Sequence, residues 1–590
     1  MSGKDSKKDG IKAVKEEAAF FPVNRVKLRE GTPFARFQKD MNEYLLSLDA
    51  DSLLYNFREA AGLSVKDAAP MTGWDAPECK LKGHTTGHVL SALGLSYAAT
   101  GDGRFKKKAD YMVAELMKVK DAFSRSGKTA PGFFSAYDEE QFDLLEQLVE
   151  YPQIWAPYYT LEKIMSGLYD VTVYTGNRDA LKLLRGLADW VQERLQKISP
   201  EQRDKMWSMY IAGEFGGMIA VLAKLSVLCK DRKYIDTAEL FYNEKLFGPL
   251  SRGEDVLSGM HANQHIPQVT GAMELYRATG EEKYLSLSEF FFETVTGHHI
   301  YAFGGTGEEE KFTDPDRMCD HLGPKTAESC ATYNMTRLAA LLYQYSLDTS
   351  VMDYYENALY NHPLPSADKA PSGGTTYFMP TGPGNVREFD LSENSCCHGT
   401  GMESRYRFME HIFSEDEENY YINLLVDATL DGLFEVTTKE TDTSFKVTVK
   451  ALSNLKKNVM VRVPAWGVSG AKDAHGARFA SGSLQGGKAP VGVLTPMQAL
   501  YQNNLNKGEE LSFSFPAKLR LVKNADKRFV SYAKGPNLMA SLSDAEEFLP
   551  TEEAKKNLVP FMKVDREKYH LYFKSASAEA EKEPEKEATN

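Results

Sequence analysis

YAATGDGRF, at residues 97–105, ends one stretch of helical apolar spacing at a Gly-Asp-Gly turn and starts another. Three further segments contain a turn of the same kind between two helical stretches: VYTGNRDAL (173–181), LCKDRKYID (228–236) and YRATGEEKYL (276–285). Each turn is rich in Gly, Asp or Asn, the residues that end one helix and cap the next. The turns recur at intervals of roughly 50 to 75 residues, longer than most solenoid repeats. They predict helix pairs in an α/α toroid, with an open helical solenoid as the alternative.

The segments around these turns extend the pattern in both directions. ADYMVAELMKVKDAF (109–123), ALKLLRGLADWVQERLQKI (180–198) and KYLSLSEFFFETVTGHH (283–299) place apolar residues at helical spacing. After about residue 415 the apolar period becomes 2, as in SFKVTVKALS (444–453) and ELSFSFPAKLRLV (510–522), which is typical of a β-sandwich. VNRVKLREG (23–31) predicts a lone strand that joins this sandwich.

The predicted fold class is therefore α + β multidomain, an (α/α)6 toroid followed by β-sandwich modules. We expect a disordered segment over 1–19, the barrel over 20–415, the sandwich region over 416–573 and a disordered charged tail over 574–590.

Length, net charge and the N-terminal sequence limit the partners and the cellular compartment that the protein can have. A chain of 590 residues is too long for one simple core. Its formal net charge of −13 argues against nucleic acid or an anionic membrane as a partner. The start, MSGKDSKKDG, lacks an apolar signal segment, and no run is long enough to span a bilayer. Taken literally, this start predicts a cytoplasmic protein; a chain trimmed of a signal peptide would be periplasmic or secreted.

SENSCCHGTGMES (392–404) sets two cysteines side by side, although the chain has only six. Neighbouring cysteines are poor disulfide partners because the ring that they close is strained. TAESCATYN (326–334) adds Glu328 and Cys330, and with Cys396 and Cys397 the set is sufficient for a tetrahedral zinc site. The alternative is that these cysteines are buried structural residues, which is our interpretation of Cys79, Cys229 and Cys319.

Histidines and glutamates form further clusters. GHTTGHVLSAL (83–93) places His84 and His88 on one face at a helix start, and HANQHIPQV (261–269) contains His261, Asn263 and His265. These residues are either hydrogen-bond donors around a polyhydroxylated ligand or capping and core groups. In GGTGEEEKFTDPD (304–316), the acid–base candidates, or else a solvated charge run, are Glu308, Glu309 and Glu310.

Several motifs in this order and spacing resemble a known family. They include GWDAPECKLKGHTTGHVLSALGLSYAATGD (73–102), WAPYYTLEKIMSGL (155–168), HANQHIPQV, ESCATYNM (328–335), YYENALYNH (354–362), TTYFMP (375–380) and CCHGTGMES (396–404). Over roughly residues 20–540 the chain resembles the bacterial β-L-arabinofuranosidases of glycoside hydrolase families 127 and 146, and it is closer to the family 146 branch.

The resemblance implies a retaining exo-glycosidase that acts on terminal β-L-arabinofuranosides of plant glycans. It makes Glu328, Cys330, Cys396 and Cys397 the ligands of a Zn²⁺ cofactor and Cys396 the nucleophile. Glu310 matches the acid/base glutamate, with Glu309 as the alternative because this loop is slightly longer than in family 127. The implied substrate contacts are Trp74, His84, His88, Glu162, His261, Asn263, His265 and Tyr377.

Two departures from the family pattern affect substrate recognition. Glu162 stands where the family has a sugar-binding histidine, and Ile219 and Ala220 replace two polar residues. The alternatives are a glycosidase for another rare pectic sugar, a non-catalytic zinc-containing carbohydrate-binding protein, and a redox switch built on the adjacent thiols.

Overall fold

A computed structural model describes residues 11–575 apart from residues 12, 468–471, 474–498, 503–504 and 525. Residues 1–10 of the predicted disordered start and 576–590 of the predicted disordered tail lie outside the described residues. The helices are α1 (Pro33–Ser47), α2 (Ala50–Leu53), α3 (Tyr55–Ala60), α4 (His84–Thr100), α5 (Gly103–Ser126), α6 (Glu140–Glu146), α7 (Pro157–Thr175), α8 (Arg178–Leu195), α9 (Pro200–Trp207), α10 (Met218–Cys229), α11 (Lys233–Ala238), α12 (Glu244–Ser251), α13 (Ala262–Thr279), α14 (Glu282–His298), α15 (Ser329–Ser346), α16 (Thr349–Asn361), α17 (Cys396–Arg407) and α18 (Thr551–Ala554).

Helices α4, α7, α10, α13, α15 and α17 contact one another in a closed ring. Outside this ring, α5, α8, α11, α14 and α16 pack on the inner helix that precedes each of them, and α1 packs on α17 and α4. The inner helices are buried on most of their surface, whereas outer helices such as α8 bury a single stripe. This arrangement confirms the predicted (α/α)6 toroid and excludes the open solenoid.

The four turns predicted from the sequence all lie at one end of the barrel, where an inner helix passes to its outer partner. In each turn one residue has the left-handed conformation that ends a helix: Gly101, Gly176, Lys230 and Gly280. Asp102 and Asn177 then cap the next helix by accepting hydrogen bonds from its first backbone N–H groups. Long loops connect the helices at the opposite end, which is therefore free to carry a site.

The strands are β1 (Ala19–Phe20), β2 (Val26–Leu28), β3 (Phe413–Glu415), β4 (Asn419–Ile422), β5 (Ala428–Leu430), β6 (Phe434–Glu440), β7 (Ser444–Ala451), β8 (Asn458–Arg462), β9 (Lys472–Asp473), β10 (Ala499–Gln502), β11 (Glu510–Pro516), β12 (Arg520–Lys523), β13 (Phe529–Lys534), β14 (Asn537–Leu542), β15 (Leu558–Pro560), β16 (Tyr569–His570) and β17 (Phe573–Lys574). They form three sheets, ordered β1-β3-β4-β8-β10, β2-β5-β6-β7-β11-β9 and β12-β13-β14-β15, with β16 and β17 paired to β14 and β13.

The first two sheets pack face to face as a sandwich. Phe413 and Tyr420 of the first sheet lie 5.4 and 6.0 Å, ring centroid to centroid, from Phe434 of the second. Strand β2 pairs with β5 through Val26 and Leu430, so the N-terminal strand joins the sandwich as predicted.

The third sheet packs on the barrel instead of extending the sandwich. Leu538, Phe561 and Tyr572 share one apolar cluster with Tyr301 and Phe303, which belong to the loop between α14 and α15. The predicted sandwich region thus contains two separate β modules.

The ends of the described chain differ from the predicted boundaries. Residues 13–19 were expected to be disordered, but the Val14 N–H donates to the Arg277 carbonyl (2.9 Å) and the Glu17 N–H to the Gln344 carbonyl (3.0 Å). These backbone bonds hold the segment against α13 and α15. Lys574, predicted to begin the tail, ends strand β17. Within the part of the chain that the structure describes, no helix combines the length and apolar character needed to cross a membrane.

Candidate functional site

Two helix N-termini meet at the end of the barrel that carries the long loops. Cys396 and Cys397 are the first two residues of α17, and the Ser395 hydroxyl caps this helix by accepting a hydrogen bond from the His398 N–H (3.3 Å). Cys330 lies in the first turn of α15, whose N-cap residue is Glu328. The positive end of a helix dipole favours a thiolate over a thiol, so both helices present cysteines where ionisation is assisted.

The glycine that follows the cysteine pair permits this meeting. A Cβ atom built on Gly399 would lie 2.1 Å from Cδ2 of His88, a residue of α4. Only glycine lets α17 approach α4 this closely, and the approach closes the inner ring beneath the cysteines.

The four predicted metal ligands converge on one point. The ligand atoms of Glu328, Cys330, Cys396 and Cys397 all lie within 4.8 Å of one another, and all four residues are buried. Glu328 Oε1 is 3.5 Å from Cys396 Sγ and 3.6 Å from Cys397 Sγ. Tetrahedral zinc, with Zn–S of about 2.3 Å and Zn–O of about 2.0 Å, requires an S···O edge of about 3.5 Å.

The second oxygen of Glu328 also fits a metal site. Glu328 Oε2 is buried and has no hydrogen-bond partner among the residues that the structure describes. An unpaired buried carboxylate oxygen is costly, and a cation would satisfy it. The donor set of three sulfurs and one carboxylate is one that zinc prefers.

The pKa shifts within the cluster also favour a bound cation. Burial raises the pKa of the Cys397 thiol and of the Glu328 carboxyl well above their usual values, and the hydrogen bond with Cys330 does the same for the pKa of Cys396. Burial also opposes ionisation of Cys330, but hydrogen bonds from Cys396 and Cys397 lower its pKa. Simultaneous ionisation of all four groups is opposed by burial and mutual repulsion, and a bound cation would allow it.

Glu310 lies across the pocket from Cys396. The Tyr377 hydroxyl donates to Glu310 Oε1 (2.5 Å) and lies 3.8 Å from Cys396 Sγ, so it contacts both groups. Glu310 Oε2 is 3.3 Å from His261 Nε2. Burial opposes the ionisation of Glu310, but the hydrogen bonds from His261 and Tyr377 outweigh it and lower the pKa of this carboxyl.

Glu309, the alternative acid/base residue, faces solvent. Its side chain is 59% exposed and forms an ion pair with Lys325 (2.8 Å). Glu308 is also partly exposed and lies 3.6 Å from His321. Of the three glutamates in this run, the structure brings Glu310 to the pocket.

A small pocket, with a cavity volume of about 40 Å³, contains these groups. Of the residues predicted from the sequence, its walls include Trp74, His261, Asn263, Glu310, Glu328, Tyr377 and Cys396. Asn263 is held by Asn334, whose side-chain N–H donates to its Oδ1 (2.9 Å).

Three histidines predicted to line the pocket lie beneath it instead. His84 Nδ1 contacts the Leu81 carbonyl (3.1 Å), His88 Nδ1 contacts Glu403 Oε1 (2.7 Å) and His265 Nδ1 contacts the His261 carbonyl (2.7 Å). Each sits in the first turns of an inner helix, where the side chain meets neighbouring helices below the pocket. The pocket lining does not include them.

Glu162 also lies outside the pocket, contrary to its prediction as a substrate contact. It is buried in α7, where it pairs with Lys163 (2.8 Å) and accepts a hydrogen bond from the Ser166 hydroxyl (2.6 Å). The second departure, Ile219 and Ala220, is buried in α10; a Cβ atom on Gly271 would lie 2.5 Å from the Ile219 Cβ. These apolar residues therefore serve the close contact between α10 and α13.

Sequence reasoning missed five residues of the pocket, which are Leu81, Trp155, Tyr159, Ile211 and Glu214. Trp155 and Tyr159 belong to the quoted motif WAPYYTLEKIMSGL, but nothing in their spacing marks them as pocket residues. Glu214 was detectable as a single acidic residue in the otherwise apolar and glycine-rich stretch GEFGGMIA. It is 8% exposed, has no side-chain hydrogen bond or ion pair among the described residues, and burial raises its pKa.

Comparisons with known proteins agree with this geometry. The family model described as β-L-arabinofuranosidase, GH127 catalytic domain, matches residues 25–410. A solved GH127 β-arabinofuranosidase superposes with a TM-score of 0.69 at 15% identity, covering 95% of this chain and 98% of that one. A GH127 β-L-arabinofuranosidase from Geobacillus stearothermophilus T6 gives a TM-score of 0.66 at 15% identity, covering 93% of this chain and 100% of that one.

A search of curated proteins found no match. The matches do not separate the family 146 branch from family 127, so that part of the resemblance stays a prediction. The family model spans more than half of the chain, the solved relatives share the whole fold, and a buried Cys/Glu cluster capable of binding a metal lies within the matched domain. The chain belongs to the GH127 β-L-arabinofuranosidase family of glycoside hydrolases.

Proposed function

We propose that this protein is a retaining exo-glycosidase that hydrolyses terminal β-L-arabinofuranosides of plant glycans, with Cys396 as nucleophile and Glu310 as acid/base. The observation that carries this proposal is the spacing of the two groups. Their contacts through the Tyr377 hydroxyl, 2.5 and 3.8 Å, limit the separation of Cys396 Sγ and Glu310 Oε1 to at most about 6.3 Å. Retaining glycosidases hold their two groups about 5–5.5 Å apart, whereas inverting enzymes need about 6.5–9.5 Å.

In the first step the Cys396 thiolate attacks the anomeric carbon, and the proton that Glu310 shares with His261 (Oε2 to Nε2, 3.3 Å) passes from Glu310 to the departing oxygen. The C–O bond breaks and a C–S bond to Cys396 forms. In the second step Glu310 accepts a proton from water, the water oxygen attacks the anomeric carbon, and Cys396 leaves as thiolate. Two displacements at one carbon retain its configuration.

The fit of the ligand set to zinc supports a Zn²⁺ cofactor held by Glu328, Cys330, Cys396 and Cys397. When bound, zinc would keep the sulfurs as thiolates at neutral pH. A free thiol, with a pKa of about 8.5, is mostly protonated at that pH. The Tyr377 hydroxyl meanwhile holds Glu310 and approaches Cys396, so it orients both groups towards one sugar carbon.

The pocket supports a single neutral sugar as the bound unit. Its cavity volume of about 40 Å³ is small, which favours one terminal residue over a longer stretch of glycan. Trp74 and Trp155, with ring centroids 4.9 Å apart, supply aromatic walls. The lining holds three carboxyl groups, Glu214, Glu310 and Glu328, without Lys or Arg, which disfavours the alternative of an acidic pectic sugar.

The test is hydrolysis of an aryl β-L-arabinofuranoside by the full chain, with NMR of the first product to follow anomeric configuration. We expect retention, about one zinc per chain by elemental analysis, and loss of activity after treatment with a chelator. Cys396→Ser should lose activity because a hydroxyl is far less nucleophilic at neutral pH. Cys229→Ser, which changes a cysteine remote from the pocket, is the matched control and should retain it.

A mechanism-based cyclophellitol-type inhibitor of L-arabinofuranose configuration locates the nucleophile directly. We expect its mass on a peptide that contains Cys396, with fragmentation placing it on that residue. Inverted product, an adduct on Cys397 or a glutamate, or full activity in zinc-free protein would contradict the proposal.

A further inference from the structure

A second cavity, of about 210 Å³, opens at the opposite end of the barrel, where the short inner-to-outer turns lie. It is lined by the C-terminal halves of inner helices α7, α10, α13 and α15, by the end of α17, and by Phe20 of the N-terminal strand. The reactive pocket lies at the other end, at the N-termini of the same helices. Neither cavity shares a lining residue with the other.

Every carboxylate in the wall of this cavity already has a partner. Asp170 forms an ion pair with Arg407. Glu274 lies 3.3 Å from Arg277. Glu410 lies 3.4 Å from Arg407 and accepts a hydrogen bond from the Tyr174 hydroxyl. The two arginines Arg277 and Arg407 are therefore neutralised by the protein itself.

Two other cations in the same wall lack a direct ion pair, although carboxylates act on both at longer range. Neither Lys224 nor Arg337 has an ion pair or hydrogen bond to any residue that the structure describes. Lys224 Nζ lies over the Tyr169 ring at 4.5 Å, and Arg337 Cζ lies 5.8 Å from the Tyr333 ring centroid. Stacking on an aromatic face leaves the N–H donors of both groups free. Both residues are half-buried and line the cavity, so their N–H donors are available to an anionic ligand that enters it.

We propose that this cavity is a second carbohydrate site, which binds the carboxylate of a uronate-type acidic monosaccharide between Arg337 and Lys224. A guanidinium fork matches a carboxylate bidentately, and Lys224 adds a second charge-assisted donor. The volume exceeds what an inorganic ion needs, and Tyr169 and Phe20 offer apolar faces to a sugar ring. The paired carboxylates Asp170 and Glu274 remain able to accept hydrogen bonds from sugar hydroxyls.

This site is opposite in charge to the reactive pocket, which carries three carboxyl groups. The two ends of the barrel would therefore select different sugars, a neutral terminal residue at one end and an acidic residue at the other. Plant glycans that carry both kinds of residue could engage the two sites separately.

The test is calorimetric titration of the full chain with galacturonate, and with galactose as the matched neutral sugar, in a buffer free of phosphate. We expect galacturonate to bind and galactose not to bind. Arg337→Gln and Lys224→Met should each weaken binding about tenfold or more, since each removes a charge-assisted hydrogen bond. Lys182→Met, which removes an exposed lysine on α8, should leave binding unchanged.

Cys396→Ser separates this inference from the proposed function, because it should abolish hydrolysis and leave galacturonate binding intact. Thermal unfolding of each variant verifies its fold, and either of the two cation variants suffices if the other does not fold. The inference is overturned if galacturonate does not bind, if its binding survives both cation variants, or if only inorganic phosphate binds.

Discussion

Glu309 and Glu310 are adjacent in sequence but differ in every physical respect that matters for acid–base chemistry. Glu310 is bonded to Tyr377 and His261 in the pocket, and Glu309 is exposed and paired with Lys325. Proton donation to a leaving oxygen requires contact with the bound sugar, which only a pocket residue can make.

We therefore expect Glu310→Gln to lower kcat by about 100-fold or more on substrates with poor leaving groups, and much less on activated aryl glycosides, which need no proton. Glu309→Gln is the matched control and should behave like the unaltered protein on both. The measurement is kcat on a series of aryl glycosides of graded leaving-group pKa. A steeper dependence in Glu309→Gln than in Glu310→Gln would reverse the assignment.

Glu214 combines burial, a raised pKa and no partner among the described residues. A buried polar group without a partner lowers stability and is retained where a ligand completes it. We propose that its carboxyl binds hydroxyl groups of the sugar.

Glu214→Ala should then lower kcat/KM by about 10–100-fold, as expected for one or two lost hydrogen bonds to a charged or polar group. The melting temperature should stay constant or rise, because an unsatisfied buried carboxyl is removed. Measurements of kcat/KM and of the melting temperature on the same variant distinguish a sugar contact from a structural role. A lower melting temperature with unchanged kcat/KM would assign Glu214 a purely structural role.

For single residues, the sequence predicts which side chains have the required chemistry better than it predicts where the fold places them. The cluster of Glu328, Cys330, Cys396 and Cys397 could be named through resemblance, whereas spacing alone favoured buried structural cysteines. The ligands are separated by up to 69 residues, and only closure of the inner ring brings the two helix ends together. His84, His88 and His265 have the chemistry of sugar ligands, yet their depth along the inner helices depends on the barrel and not on local sequence.

Among the elements, the turn at Glu308–Lys311 is strained. Glu308 and Lys311 exchange both backbone hydrogen bonds (2.8 and 3.0 Å), and Glu309 and Glu310 between them have φ of 45° and 71°. Two-residue hairpin turns of this kind favour Asn and Gly because positive φ costs other residues about 1–2 kcal/mol. The Ala262 N–H donates to the Glu310 carbonyl (2.7 Å) and the Glu309 N–H to the Lys325 carbonyl (3.0 Å), so both sides of the turn are held.

Glu309→Gly should stabilise the protein by about 0.5–1 kcal/mol, because the relief of strain exceeds the loss of one exposed ion pair. Activity should be retained, since Glu310 keeps its contacts. Glu308→Gly, at a neighbouring position without positive φ, is the control and should destabilise. Chemical denaturation of the three proteins measures both effects, and equal shifts in the two variants would show that strain at residue 309 is absent.

The elements themselves were largely predictable, and the exceptions have local causes. Four helix-ending turns were visible through Gly, Asp and Asn. A fifth, between α15 and α16, escaped because Leu347 occupies the left-handed position with φ of 52°. Its one signal was Asp348, which caps α16 by accepting a hydrogen bond from the Ser350 N–H (2.9 Å). The third sheet was predicted as strands but not as a separate module, because alternation of apolar residues shows which face is buried and not against what.

For the whole molecule, the third sheet acts as a support for the loop that carries Glu310. The loop between α14 and α15 buries Tyr301 and Phe303 against Leu538, Phe561 and Tyr572 of that module. The Ala302 N–H donates to the Tyr572 hydroxyl (2.8 Å), a direct polar link between the two. The Tyr569 hydroxyl donates to the Pro380 carbonyl (2.7 Å), close to Tyr377 on the other side of the pocket. The module therefore holds both segments that orient Glu310.

Tyr572→Phe tests this coupling with the smallest possible change. It keeps the aromatic ring in its apolar cluster but leaves the partly buried Ala302 N–H without its acceptor, at a cost of about 1 kcal/mol. We expect faster amide hydrogen exchange over residues 300–306 and a several-fold lower kcat, because Glu310 is held less firmly. Tyr532→Phe, which removes a hydroxyl of the same sheet that bonds the Thr551 carbonyl (3.3 Å) and does not contact the loop, should change neither quantity. If kcat falls by the same factor in both variants, or if exchange in the loop stays unaltered in Tyr572→Phe, the third sheet does not support the loop that carries Glu310.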